Sequence, residues 1–336
     1  MRHARRLRDS IAADATLDMT SEMAALTLAI VGETLFSSNV QSDADQVRDA
    51  LSEAVQSFGI MFLPGLEYFE KLPLPVFART RKARERLDAV IHRVIAERRA
   101  GHPGDRPDLV SMLLAARDPE NPDAEGMSDQ QIRDEAMTIF LAGHETTANA
   151  MAWTWHLLSL SPQVEAKLHE EIDRVLSQRT PAVEDVPRLE YTRAVVAESM
   201  RLYPPAWTMG RRAIERHTIA GHTIEPGALV IVSQWIAHHD ARWWPEPGAF
   251  EPERWLQNPT GNQEPGTWHR SRPKYSYFPF GGGSRICIGE SFAWTEAILL
   301  VATIAERWRF VSETAPSIEA RITLRPKGLR MRAVER

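Results

Sequence analysis

The amino-acid sequence predicts a mainly α-helical protein with small β-sheets. Apolar residues recur at helical spacing through most of the first two thirds of the 336-residue chain. Short β-branched runs bounded by turn residues follow. Between residues 242 and 289 the chain has seven Pro and seven Gly, too many for long regular elements. We expect a single domain over residues 1–336.

Several helices are predicted before the middle of the chain. Apolar positions favour helices over residues 18–36 and 76–100, and a shorter helix over Leu109–Leu114. Ser128 has the side chain of an N-cap, and a long helix is expected from Asp129 to Leu160. The basic start of the chain is followed at once by acidic residues, which indicates a charged helix end rather than a transit peptide.

The second half begins with helices and then changes character. Ser161-Pro162 starts a new helix, and another is expected over Val186–Leu202 before two prolines end it. Short strands are then predicted at residues 212–214, 218–220 and 228–232. A last helix is predicted from Ser291 to Trp308, and residues 321–324 form a strand.

Composition and charge exclude several classes of protein. Hydrophobic residues at 43% and charged residues at 25% are typical of a globular protein, and a net charge of −5 argues against nucleic-acid binding over the whole chain. The single cysteine, Cys287, excludes an internal disulfide, a four-cysteine zinc site and a four-thiolate cluster. No apolar run is long enough for a membrane span. We therefore expect a cytoplasmic protein without a membrane segment.

The only cysteine lies in a glycine-rich loop. The stretch Phe280-Gly-Gly-Gly-Ser-Arg-Ile-Cys-Ile-Gly289 directly precedes a predicted helix. Glycines let the backbone approach a ligand, and N–H groups at a helix start favour an anionic sulfur. The stretch lacks the third glycine of a dinucleotide fingerprint and the Gly-Lys-Ser/Thr of a P-loop. This context favours a functional thiolate over a small buried hydrophobe.

A second stretch lies inside the long helix. In Ala142-Gly-His-Glu-Thr-Thr147, a glycine and two threonines are poor helix formers, and a threonine hydroxyl competes for backbone carbonyls. This predicts that the helix opens or bends into a groove beside an acid, Glu145, and an alcohol, Thr146. The zinc pattern H-E-x-x-H is absent because residue 148 is Ala. Ordinary core helix is the alternative interpretation of this stretch.

A third pattern pairs an acid with an arginine. Glu198 and Arg201 are spaced i, i+3 and share a helix face. An exposed pair of this kind contributes little, whereas loss of one partner from a buried pair typically costs ~3–5 kcal/mol. Arg254, in the segment Pro252-Glu-Arg-Trp255, is the candidate third member.

Together these motifs resemble those of the cytochrome P-450 superfamily. The cysteine loop is similar to the F-x-x-G-x-R-x-C-x-G haem-thiolate signature, and the other stretches are similar to the family's A-G-x-E-T-T, E-x-x-R and P-E-R-W/F segments, in the family's order across residues 109–310. The resemblance implies a P-450-like helical domain whose N-terminal strands and first helices are missing. We therefore expect a truncated chain, from a fragment, a mis-called gene start or a decayed gene.

The resemblance also implies roles for matching residues. The cofactor is haem b, with Cys287 as its axial thiolate ligand. Thr146 hydrogen-bonds dioxygen, and Glu145 helps to supply its protons. The other implied sets are cofactor-binding residues (Arg285, Arg211, Phe280, Gly281, Gly289), residues that hold the cysteine loop (Glu198, Arg201, Arg254) and an apolar substrate pocket (Ala142, Ala206, Trp207, Thr208).

The implied activity is that of a haem-thiolate monooxygenase. It inserts one atom of O2 into an apolar small molecule, with electrons from a ferredoxin or flavodoxin-type donor and its NAD(P)H reductase. Four basic residues cluster near Cys287 in the sequence: Arg270, Arg272, Lys274 and Arg285. Part of this cluster either faces the acidic electron donor, or the cluster is a solvated loop that also supplies propionate ligands. Two alternatives stay open, a peroxide-driven or isomerising haem-thiolate enzyme and a truncated haem-binding remnant without turnover. The intact Glu145-Thr146 pair argues against the peroxide-driven enzyme.

Overall fold

Helices dominate the described structure. A computed structural model describes residues 1–36, 75–100, 108–118, 120–121, 125–256 and 273–336. The strands form small antiparallel sheets between the helices, which confirms the predicted mainly α class. Within these ranges, no helix has the length and apolar character that crossing a membrane requires.

The chain divides into two compact units. One comprises Ala24–Glu145, and the other comprises Met1–Met23 together with Thr146–Arg336. The sequence predicts one domain over residues 1–336, and that assignment stays a prediction.

The unit of residues 24–145 is a small helical cluster. It contains most of α2 (Met19–Phe36), α3 (Pro75–Ala100), α4 (Leu109–Ala115) and the first half of α5 (Asp129–Ser159). Apolar side chains at helical spacing put one face of each helix into a shared core. That core is formed by Val31, Leu87, Ile91, Val94, Ile95, Val110, Ile132, Ala136, Met137 and Phe140.

Helix α5 begins at the predicted cap. The Ser128 hydroxyl accepts the Gln131 N–H at 3.3 Å, and the Gln131 side chain accepts the Ser128 N–H at 2.9 Å, a reciprocal capping box. Pro162 then occupies the first turn of α6 (Pro162–Leu176), where its missing N–H is not needed. Both helix boundaries predicted around these residues are confirmed.

The core of the other unit is built on α6, α7 (Glu190–Leu202) and α9 (Glu290–Ala305). Every residue of α7 from Tyr191 to Leu202 is buried except Arg193. The Glu171 carboxylate of α6 accepts the first free N–H groups of α7, from Tyr191 at 2.7 Å and Thr192 at 2.8 Å. Helix α7 therefore starts at Glu190, later than the predicted Val186, because the preceding 3-10 turn contains Pro187.

Four small antiparallel sheets lie in the described part of this unit. The order β1-β9-β6 joins strands from both ends of the chain, and the other sheets are the pairs β2/β5, β3/β4 and β7/β8. The strands are β1 (Thr16–Asp18), β2 (Met209–Arg212), β3 (His217–Ile219), β4 (His222–Ile224), β5 (Leu229–Val232), β6 (Trp308–Ser312), β7 (Ser317–Ala320), β8 (Leu324–Lys327) and β9 (Arg330–Glu335). Helix α1 (Arg2–Ser10) matches the charged helix predicted at the chain start.

Several element boundaries differ from the predictions. Strand β2 ends at Arg212, where the predicted strand 212–214 begins, and its register pairs Arg211 with Val230 of β5. Helix α9 ends at Ala305 because Trp308 already belongs to β6. The sequence analysis predicted neither the short helix α8 (Gln234–His238) nor the strands β1, β4, β6, β7 and β9. Strand β9 forms by pairing on both edges with distant strands, a source of stability that local periodicity does not reveal.

Candidate active site

The loop that carries Cys287 is a tight turn before helix α9. The Cys287 N–H donates to the Phe280 carbonyl at 2.9 Å, and a 3-10 turn lies between the two residues. Gly281 and Gly283 have φ angles of +77° and +71°, which residues with a side chain adopt only under strain. The glycines thus permit a turn that leaves Cys287 exposed as a free thiol.

The sulfur of Cys287 lies beside a helix N-terminus. Gly289 is the N-cap of α9, and a Cβ atom added to it would lie 3.8 Å from Cys287 Sγ. The N–H groups in the first turn of a helix have no helical acceptor and favour a negative charge nearby. The loop therefore presents an exposed sulfur where an anion is stabilised.

Two aromatic side chains, the buried Trp244 and the half-buried Tyr277, hold the segment that leads into this loop. The Tyr277 hydroxyl donates to the Ala197 carbonyl of α7 at 3.0 Å, and Trp244 Nε1 donates to the Ser276 carbonyl at 3.1 Å. Burial raises the pKa of Tyr277 well above its ordinary value, so the phenol keeps its proton and remains a donor. The segment before the loop is therefore hydrogen-bonded to α7 through the neutral phenol of Tyr277.

Glu198, Arg201 and Arg254 form one buried charge network. Glu198 Oε1 lies 2.8 Å from Arg201 Nη2 and 3.0 Å from Arg254 Nε. Glu198 also accepts from Trp255 Nε1 at 2.9 Å and from the Glu251 N–H at 3.1 Å. These bonds satisfy the carboxylate, which is necessary for a charge removed from water.

Arg201 extends this network to the irregular segment and to the cysteine loop. Its guanidinium donates to the backbone carbonyls of His238, Pro247 and Ala249 at 2.8 to 2.9 Å. The His238 ring in turn accepts the Phe278 N–H at Nε2, 3.0 Å away. A continuous hydrogen-bonded path therefore runs from Glu198 to the segment before the cysteine loop.

The Ala142–Thr147 stretch is helical throughout. Helix α5 continues unbroken from Asp129 to Ser159, so the predicted opening of the helix is not present in its secondary structure. Glu145 and Thr146 are half-buried, and Ala142 is exposed. His144 is buried, its Nδ1 lies 3.2 Å from the Phe140 carbonyl, and burial lowers the pKa of this imidazole.

Two exposed arginines flank the cysteine loop. Arg285 ends the 3-10 turn of the loop, and Arg211 lies on β2, whose Met209 methyl would come within 3.3 Å of a Cβ atom at Gly281. Arg211 Nη1 donates to the Gly210 carbonyl at 2.9 Å. Within the described part of the chain, neither Arg211 nor Arg285 forms an ion pair with a carboxylate.

The predicted pocket residues after α7 belong to a half-buried turn. Trp207 Nε1 donates to the Arg321 carbonyl at 2.9 Å, and the Thr208 hydroxyl donates to the Val232 carbonyl at 3.3 Å. Ala206 precedes them and is also half-buried. These bonds fix the indole and the hydroxyl of this turn, while a pocket formed jointly with Ala142 stays a prediction.

Comparison with known proteins decides the family. The family model described as Cytochrome P450 matches residues 2–332. This chain belongs to the cytochrome P450 family. The heme domain of a cytochrome P450DA mutant superimposes with a TM-score of 0.86 at 25% identity, over 100% of this chain and 72% of that one.

Two relatives from Streptomyces melanosporofaciens are similar over most of the chain. The chain is 40% identical to cyclooctatin synthase over 87% of its own length and 62% of that protein. It is 39% identical to cyclooctat-9-en-7-ol 5-monooxygenase over 88% of its own length and 62% of that protein. The chain thus spans about three fifths of the length of these P450 relatives.

The residues around Cys287 fit the cofactor of the P450 family. That cofactor is haem bound through a cysteine thiolate, and Cys287 is the only cysteine in the chain. Its apolar neighbours in the sequence, Ile286 and Ile288, are 53% and 92% exposed, and Phe292 in the first turn of α9 is 43% exposed. A flat apolar ring would cover such side chains. Among the described residues, Arg211 and Arg285 have no carboxylate partner, and their positive charges suit the acidic edge of that ring.

Sequence reasoning missed the groups that connect these motifs. His238 accepts the Phe278 N–H, the Tyr277 hydroxyl donates to the Ala197 carbonyl of α7, and Trp255 Nε1 donates to Glu198. Their signal in the sequence was the concentration of aromatic residues in the Pro- and Gly-rich segment, which predicted packing but no partners. Arg270 and Arg272 of the predicted basic cluster lie outside the described residues.

Proposed function

We propose that this cytochrome P450 is a haem-thiolate monooxygenase that inserts one atom of O2 into an apolar small molecule. The observation that carries the proposal is the exposed sulfur of Cys287, held in a glycine turn at the N-terminus of α9, with the exposed Ile286 and Ile288 on either side of it in the sequence. Haem, when bound there, supplies the redox chemistry that activates dioxygen.

The protein's own residues orient the cofactor. Cys287 Sγ would bind the haem iron as a thiolate, and the N–H groups at the start of α9 would stabilise its negative charge. Arg211 and Arg285 would bind the two propionates, each through charge-assisted hydrogen bonds of ~1.5–3 kcal/mol. Glu198, Arg201 and Arg254 keep the segment before the loop in place through His238 and the carbonyls that Arg201 binds.

Thr146 and Glu145 are the proton-handling residues of the proposal. The Thr146 hydroxyl holds a proton where it can be donated to dioxygen, and the Glu145 carboxyl replaces that proton. Proton transfer by a positioned side chain contributes typically ~100-fold to 10,000-fold to a reaction rate. An acid and an alcohol on adjacent residues of one helix, both half-buried, support this role.

The substrate of the proposal is a hydrocarbon skeleton with few polar groups. One relative is named for oxidation of cyclooctat-9-en-7-ol, whose name describes an unsaturated alcohol, at its position 5. The predicted pocket segment Ala206–Thr208 combines a methyl, an indole and a hydroxyl whose hydrogen-bonding groups are engaged by backbone carbonyls. Such a lining favours apolar contact with a substrate.

Electrons come from a separate ferredoxin or flavodoxin-type donor with its NAD(P)H reductase. Lys274 is exposed in the segment before the cysteine loop, and Arg285 is exposed within that loop. Lys274→Glu should slow reduction by an acidic donor at low salt, because charge complementarity mainly raises the association rate. The exposed Lys327→Glu, on β8, is the matched control, and equal rates for both variants would remove Lys274 from the donor surface.

The decisive experiment is an absorbance spectrum of the haem-loaded chain after reduction and addition of carbon monoxide. We expect a strongly red-shifted Soret band, the signature of thiolate ligation, and its loss in Cys287→Ser. Ser284→Ala, an exposed change in the same loop, should keep the band. An unshifted band in the unmodified chain would overturn the proposal and favour a remnant without turnover.

A further inference from the structure

We infer that Thr27 of helix α2 is a positioning residue for the Glu145–Thr146 pair. Its hydroxyl donates a hydrogen bond to the backbone carbonyl of His144, the residue before that pair. The bond fixes the peptide group that joins His144 to Glu145. The inference deepens the proposed function, since its catalytic consequence depends on Glu145 and Thr146 handling protons.

The hydrogen bond is short and fully buried. Thr27 has no exposed surface, and His144 is 9% exposed. Thr27 Oγ1 lies 2.9 Å from the His144 carbonyl oxygen and 3.3 Å from the Ala24 carbonyl of its own helix. Because a hydroxyl has a single proton to donate, the shorter and interhelical bond to His144 is the stronger of the two.

A close approach of the two helices makes this bond possible. A Cβ atom added at Gly143 would lie 3.3 Å from Val31 Cγ2, so any larger residue would press against α2. Thr27 and Val31 are spaced i, i+4 and therefore share one face of α2. The absence of a side chain at Gly143 thus lets Val31 pack closely against α5. The short side chain of Thr27 then reaches the backbone carbonyl of the next residue, His144.

The bond acts on the next residue through the peptide plane. A helical carbonyl that accepts an additional donor tilts away from the helix axis, and its own helical bond lengthens. The His144 carbonyl and the Glu145 N–H belong to one planar group, so a tilt of the carbonyl turns the backbone of Glu145 as well. The hydroxyl of Thr27 thereby sets the direction in which the acid of the pair leaves the helix.

The contact can be measured without any cofactor. The dipeptide His-Glu occurs only at His144–Glu145 and His169–Glu170. Labelling His with 13C at the carbonyl and Glu with 15N therefore gives two signals in a carbonyl-to-amide correlation spectrum. In Thr27→Val, we expect the His144 carbonyl signal to move upfield because a hydrogen bond is lost, while the His169 signal stays in place.

Matched variants separate the hydroxyl from the packing. Thr27→Ser retains the hydroxyl and should restore the wild-type His144 signal, and Thr27→Ala should reproduce the shift of the valine variant. Thr34→Val is the control on the same helix, because the exposed Thr34 hydroxyl donates within α2, to the Ile30 carbonyl at 2.9 Å. A His144 signal that does not move in Thr27→Val, or that serine does not restore, would overturn the inference.

The second readout is the share of consumed electrons that forms peroxide rather than oxidised product in the haem-loaded enzyme. Thr27→Val should raise the share of electrons lost to peroxide rather than product by about 3- to 10-fold, the range that corresponds to one hydrogen bond. Thr27→Ser and Thr34→Val should match the wild type. If the carbonyl signal moves and the peroxide share does not, Thr27 is structural only. If the wild-type chain itself shows no thiolate spectrum, the proposed function fails, while the carbonyl signal still decides the contact.

Discussion

The imidazole of His238 accepts the backbone N–H of Phe278 through Nε2 at 3.0 Å. This contact places a neutral histidine between the buried charges of α7 and the cysteine loop, since the His238 carbonyl accepts from Arg201 at 2.8 Å. A protonated ring has no lone pair at Nε2 and cannot accept this bond. The geometry before Cys287 therefore depends on the protonation state of His238.

The first prediction concerns the pH dependence of stability. Burial, together with the charge of Arg201, lowers the pKa of His238 to about 3. Unfolded histidine titrates near pH 6.5, so between these values the unfolded chain binds a proton that the folded chain does not. His238 should therefore reduce stability as the pH falls below about 6.5, by at most ~1.4 kcal/mol per pH unit.

Urea unfolding of wild type and His238→Gln across this pH range measures the effect. The glutamine side chain can still accept a hydrogen bond, but it does not titrate. The wild type should lose stability more steeply than the variant as the pH falls. Parallel pH profiles would contradict the assignment of a buried neutral His238.

The second prediction tests the buried charge network. Glu198→Gln leaves the guanidinium groups of Arg201 and Arg254 buried without a carboxylate, which should cost ~3–5 kcal/mol of unfolding free energy. Glu251→Gln is the matched control, because Glu251 also pairs with Arg254, at 2.8 Å, but is 52% exposed. We expect it to cost at most ~1 kcal/mol. Chemical denaturation compares the two, and equal costs would contradict a structural role centred on Glu198.

The third prediction concerns an acid in the core of α9. Both carboxyl oxygens of Glu296 are buried, and burial raises its pKa to about 8, opposed by the Thr147 hydroxyl and by the amino group of Met1. The folded chain therefore holds a proton that the unfolded chain releases above about pH 4.5, and stability falls as the pH rises from there toward 8.

Glu296→Gln should remove this loss and stabilise the protein at neutral pH by on the order of 2 kcal/mol. Thermal unfolding between about pH 5 and 8 measures it. Thr295→Val, at the neighbouring position of the same helix, removes a hydroxyl bonded to the Ser291 carbonyl and should leave the pH profile unchanged. A glutamine variant that is less stable at every pH would show that the carboxyl has a further partner.

The fourth prediction compares two tyrosines near the cysteine loop. Tyr277→Phe removes the hydrogen bond to the Ala197 carbonyl and should cost ~0.5–1.5 kcal/mol. Tyr275→Phe removes a hydroxyl from a side chain that is 49% exposed and should cost almost nothing. Urea denaturation measures both differences in unfolding free energy, which follow from the shifts of the midpoints when the m-values are equal. A costly Tyr275→Phe with a neutral Tyr277→Phe would contradict the role of Tyr277 as the tether.

Much of the fold could be predicted from local patterns. The capping box at Ser128, the proline start of α6 and the helical spacing of apolar residues in α3 depend on neighbours within one or two turns. The i, i+3 spacing of Glu198 and Arg201 likewise indicated their pairing, which the structure contains at 2.8 Å. Strand β9 could not be predicted this way, because it is stabilised by pairing with β6 and with β1, which lies at the opposite end of the chain.

The sequence by itself determined the family motifs, the thiolate candidate Cys287 and the positions of the acid and alcohol in α5, since each is encoded in a short run of residues. The tertiary structure alone decided which groups support them. His238 meets Phe278, Tyr277 meets Ala197 and Thr27 meets His144 only when distant segments pack together. The physical reason is that a buried polar group must find a partner in whatever element packs against it, and sequence spacing does not specify that element.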